Sequence, residues 1–189
     1  MFLSMIPLVL IILLVAGGAS QCDFSPGGPT DGEVPEYDVD SALQMRANTE
    51  SFPVRNPALP DAWQSNSGGA QLLEDDQKVV EVGYITDVDD PKSYLRLAQT
   101  DADIEVLLES QSDGPPAFEE ETEVAGTDWQ VYTADNGEAL WVTSLPGVNV
   151  SITGSGDEAE FTVLAEAVQE AEPLPARRTE AQAETDALD

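Results

Sequence analysis

The sequence predicts an α+β protein: an antiparallel sheet of about five or six strands with two helices packed on one face, preceded by an N-terminal transmembrane helix. Three observations carry this. The stretches 78–86, 93–100, 128–134, 138–145 and 148–154 alternate apolar and polar side chains with the two-residue period of a half-buried strand. The stretches 101–110 and 157–168 instead repeat apolar residues at helical spacing. The chain also opens on MFLSMIPLVLIILLVAGGAS, which apart from Ser4 and Pro7 is apolar or small almost throughout.

A membrane span needs roughly 17 to 25 such residues, so residues 1–20 read as a transmembrane anchor or an uncleaved signal. A cleaved signal peptide is the competing reading, and the lack of any Lys or Arg before Arg46 counts against it. The same lack leaves the positive-inside rule without a charge to act on. Cys22 follows Ala19, Ser20 and Gln21. A lipidated Cys wants a small residue immediately before it, so Gln21 points to a bland thiol at the membrane edge. On each reading the remainder of the chain lies outside the cytoplasm, and the anchor reading makes it a single-pass protein of the cell membrane.

Residues 21–51 are rich in Pro, Gly and acid and read as a linker, ending in a short helix around residues 41–47. Residues 52–169 hold all three Trp and form the extracytoplasmic α+β domain. Within it, 78–86 and 93–100 make a hairpin around an acidic turn, and Thr100 with Asp103 reads as a capping pair opening a helix with Ile104, Leu107 and Leu108 on one face. One further strand fits between Gly114-Pro115-Pro116 and residue 128. Asn136-Gly137 and Pro146-Gly147 then mark two hairpin turns. The last strand places Val148, Val150 and Ile152 inward, and Asn149, Ser151 and Thr153 outward. Asp157 and Glu160 form a capping pair for a helix whose Phe161, Leu164, Ala165 and Val168 make a single stripe. Residues 170–189, mostly Ala, Glu and Pro, read as a disordered acidic tail.

Composition excludes several chemistries. Asp and Glu total 37 against 7 Lys and Arg, a net charge of −30, which leaves no basic patch for nucleic acid. Without His there is no imidazole base and no His-ligated metal, and a single Cys forms no internal disulfide. No cofactor is expected. The acid excess itself suits a surface kept hydrated at high external salt.

The segments FPVRNPALPDAWQSNSGGA (52–70), VGYIT, YLRLAQTDAD, VAGTDWQVY, ALWV and VSITGSGDEAEFTVLAEAV (150–168) together resemble the domain of unknown function family 4245 of actinobacterial single-pass membrane proteins. The likeness runs over about residues 34–168 and the preceding apolar segment. It implies an anchor and an extracytoplasmic domain in a high-GC Gram-positive envelope, and it supplies no catalytic residues. This sequence departs from the family in beginning almost inside its membrane segment.

Asp87, Asp89 and Asp90, with Asp101 and Asp103, are the best candidates for a cation site, but Lys92 and Ala98 stand where an EF-hand loop needs Gly and Glu, so a solvated turn is the better reading. Asn149-Val150-Ser151 fits a glycosylation sequon by pattern only, and GSGDE (154–158) reads as a turn and cap. Trp63, Trp129 and Trp141 are the candidate ligand or partner contacts, against the plainer reading that they are core. The expected function is a non-enzymatic binding or accessory module of the envelope, with an envelope protein as its partner. The alternatives are a small-ligand or envelope-polymer binder using exposed Trp, and a carboxylate-only hydrolase.

Overall fold

Seven antiparallel strands, one or two more than the sequence predicts, pair into a single sheet in the computed structural model. It describes residues 36–73, 76–87 and 93–176, all within the unit Val34–Asp189. Residues 1–20, Cys22 and the stretch beyond residue 176 lie outside the described residues, and no described helix is long and apolar enough to cross a membrane. The strands are β1 (Gln64–Leu72), β2 (Lys78–Ile85), β3 (Tyr94–Thr100), β4 (Ala117–Val124), β5 (Thr127–Thr133), β6 (Ala139–Leu145) and β7 (Val148–Gly154). Their spatial order is β1-β2-β3-β7-β6-β5-β4. The chain thus meanders from one edge to the centre, crosses to the far edge through α2 (Ile104–Ser110), and meanders back until β7 pairs with β3.

Both expected hairpin turns form. Thr133 pairs with Ala139 across Asn136-Gly137, and Leu145 with Val148 across Pro146-Gly147. Each Gly has a positive φ, 85° and 79°, which the turns require. The strand without an expected counterpart is β1, whose sequence QSNSGGAQL has no apolar alternation.

Two further helices flank the sheet, α1 (Val39–Ala47) and α3 (Glu158–Glu170). Asp38 caps α1 by accepting from the Ser41 N–H at 3.1 Å. The helix buries Leu43 and Ala47 in the core, so the folded unit takes in chain that its composition marks as linker. The Asp157–Glu160 capping box of α3 is complete, with two reciprocal bonds of 2.9 Å. No such box opens α2. The buried Thr100 hydroxyl instead donates to the Lys78 carbonyl at 2.7 Å and accepts from the Ala102 N–H at 3.0 Å, and Asp103 makes no side-chain cap bond.

The two helices that the sequence predicts, α2 and α3, do not share a face. One face packs Val82, Leu97, Trp141 and Ile152 under α1 and α3, whose Phe161, Leu164, Ala165 and Val168 are all buried as the stripe requires. Each such large apolar side chain contributes about 1.5–3 kcal/mol when fully buried. The other face packs Val79, Ala98, Leu140 and Val142 under Leu107 and Leu108 of α2. The expectation of two helices on one face fails because Ser151 and Thr153, read as outward and polar, are 0% and 2% exposed. Small side chains there let a short helix lie close against the sheet.

Candidate functional site

With only seven residues, α2 leaves open surface on both of its sides. On the side toward β5, a groove of about 420 Å³ is walled by Leu108, Pro115, Pro116 and Tyr132, with Glu105 and Glu109 among its rim. Two consecutive prolines set the backbone of one wall in advance. The apolar surface continues past the groove. Phe118, paired with Tyr132 across β4 and β5, is 55% exposed and stands edge-on to the Tyr132 ring, with 5.5 Å between centroids and 75° between planes. Around it β4 runs AFEEETEV, and Glu119, Glu120, Glu121 and Glu123 are all exposed. Those charges discourage strand pairing at this edge of the sheet.

On the other side of α2 the surface is polar. Arg96 separates two adjoining hollows of about 270 and 260 Å³. Glu81 accepts from Gln71 Nε2 at 2.7 Å and from Gln111 Nε2 at 2.8 Å, with Arg96 Nη1 3.8 Å away. A carboxylate held this way is fixed as an acceptor for two amides, and it faces a cation instead of a second acid.

The structure does not gather the three Trp on one surface. Trp129 and Trp141 do share a face, 6.4 Å apart, but they are 0% and 5% exposed and belong to the core. Trp141 packs on Phe161 of α3, and Trp129 Nε1 donates to Gln169 Oε1 at 3.3 Å. Neither indole is open to a ligand from solvent. Trp63 is half-buried and walls a separate cleft, on the face that carries α1. The exposed aromatic among the described residues is Phe118, packed on the half-buried Tyr132, and sequence reasoning passed over both. A Phe at an odd place in a run of glutamates, straight after Gly114-Pro115-Pro116, is the signal that marks it.

The remaining candidates have structural uses. Asp101 accepts from the Ser51 hydroxyl at 2.7 Å, and Asp103 precedes α2. Residues 88–92 lie outside the described residues, and among the described residues no group of three His, Cys, Asp or Glu is placed to hold a metal ion. Asn149 of the sequon donates to the Ala102 carbonyl at 2.8 Å from the interior strand β7. GSGDE is the turn and cap before α3, with Asp157 as the N-cap.

Residues 1–168 match the family described as protein of unknown function (DUF4245). The chain belongs to the DUF4245 family. No curated protein and no solved structure matches it. The part of this DUF4245 protein that matches ends at Val168, the last buried residue of α3, and so includes all seven strands and both sides of α2.

Proposed function

We propose that this DUF4245 protein is a non-enzymatic binding module of the cell envelope, held at the membrane by its N-terminal segment, with the groove beside α2 as its docking site for a protein partner. The supporting observation is the exposed Phe118 packed edge-on against Tyr132, which itself walls the proline-lined groove. Aromatic anchors in water-excluding pockets carry most of the binding energy in protein interfaces. The groove's acidic rim and the net charge of −30 select the partner's chemistry: an apolar side chain to fill the groove, flanked by Lys or Arg.

The test is mild crosslinking in cells that carry the full-length protein, followed by its purification from membranes. One envelope protein at near-equal amount is expected with the wild type and is expected to be lost with Phe118→Asp. An associated protein that survives the substitution, or only background with the wild type, contradicts the proposal.

A further inference from the structure

On the opposite face, the first turn of α1 and the proline-rich stretch 56–63 enclose a cleft of about 350 Å³. Val39, Leu59 and the half-buried Trp63 supply its apolar wall, and Asp40 and Tyr84 its polar one. None of the residues lining it is Lys or Arg. Tyr84 is only 3% exposed, and its hydroxyl has no hydrogen-bond partner among the described residues. Buried polar groups are nearly always satisfied, so an orphaned phenol in the wall of a cleft points to a group that arrives from outside. Burial, and after it the negative charge of Asp40, push the Tyr84 phenol above its ordinary value, so the oxygen stays a neutral hydroxyl. Asp40 Oδ1 accepts from Asn56 Nδ2 at 2.6 Å, which fixes the carboxylate at the cleft, and among the described residues no donor takes its second oxygen.

We propose that this cleft binds an organic ammonium ion, its apolar body against Trp63 and Leu59 and its charged end against Asp40 and the Tyr84 oxygen. Three features converge on that class. The hydroxyl oxygen accepts an ammonium N–H, the carboxylate balances the charge, and Trp63 with Leu59 offers apolar surface to the hydrocarbon body. The absence of a lining cation disfavours anions, and the chain's overall charge draws cations toward it.

The probe is hexylammonium chloride, titrated by calorimetry into the full chain in neutral detergent, with hexanol and maltose as uncharged controls. Saturable binding of hexylammonium without binding of either control is expected. Asp40→Asn is expected to weaken it by about tenfold or more, as loss of a charge-assisted contact does, and Tyr84→Phe by roughly fivefold. Tyr84→Phe removes an unsatisfied hydroxyl, so this variant is also expected to melt no lower than the wild type, which separates a binding defect from a folding one. Equal binding of hexanol, binding of maltose alone, no binding, or an unchanged affinity in Asp40→Asn each overturns the proposal.

Discussion

Gln99 closes both ends of its amide on the main chain of Arg55: the Arg55 N–H donates to Gln99 Oε1 at 2.8 Å, and Gln99 Nε2 donates to the Arg55 carbonyl at 2.9 Å. A side chain of the interior strand β3 thereby does for a proline-broken segment what a neighbouring strand would do. The clasp extends further. The Arg55 guanidinium donates to the carbonyls of Gln169 and Ala171 at the end of α3, which has no basic residue in its own last turn. Burial lowers the Arg55 pKa from its ordinary value. Leu174 then donates its N–H to the Val54 carbonyl at 2.8 Å, which ties the chain after α3 to the same segment.

Removing that clasp is expected to be costly. Gln99 is 1% exposed, so Gln99→Ala leaves a buried N–H and a buried carbonyl without partners. A loss of about 2–4 kcal/mol follows from the cost of each orphaned group. Urea unfolding of the full chain checks it, and a loss below about 1 kcal/mol would show that water replaces the amide without penalty.

A gain is available at the β4–β5 turn. Ala125 and Gly126 join the paired Val124 and Thr127 with φ values of 48° and 83°, the left-handed pair of a type I′ turn. Ala is strained there, whereas Asn tolerates the conformation. Ala125→Asn is expected to raise stability by about 1 kcal/mol in the same urea assay.

Phe118→Asp separates surface from core. The ring is more than half exposed, so the substitution is expected to change stability by no more than about 0.5 kcal/mol while abolishing partner association. A large fall in the unfolding midpoint would make Phe118 a packing residue and remove it from the docking surface.

Charge makes its own prediction. A net charge of −30 repels itself in the folded state, and salt screens that repulsion. The full chain is expected to melt roughly 5 °C higher in molar KCl than in dilute buffer. Equal melting temperatures would mean that the acids are spread widely enough to ignore one another.

Where a residue's neighbours in sequence decide its environment, the fold is legible. Alternation identifies β2, β3, β5, β6 and β7, and the Asp157–Glu160 box with its stripe identifies α3, since period and cap are local properties. Strand β1 is not legible, because it is held from outside: by its ladder to β2 and by the Tyr37 ring, which lies so close that a Cβ on Gly68 would be 2.4 Å from it. The side of the sheet taken by α2 is hidden for a related reason. Ser151 and Thr153 look like solvent-facing positions until the crossover lays a helix over them. For the candidate contacts the aromatic residues are visible but their exposure is not: two of the three Trp are core, and the exposed Phe118 lies against Tyr132 of a strand that only pairing reveals as its neighbour.

Site-specific photo-crosslinking in cells tests the docking claim most directly, with a photoreactive phenylalanine at position 118 and, for comparison, at position 72, where Leu72 is 66% exposed on the opposite edge of the sheet. The account predicts a discrete adduct to one membrane-associated protein from position 118 and none from position 72. No adduct from either position, or the same adducts from both, would contradict it.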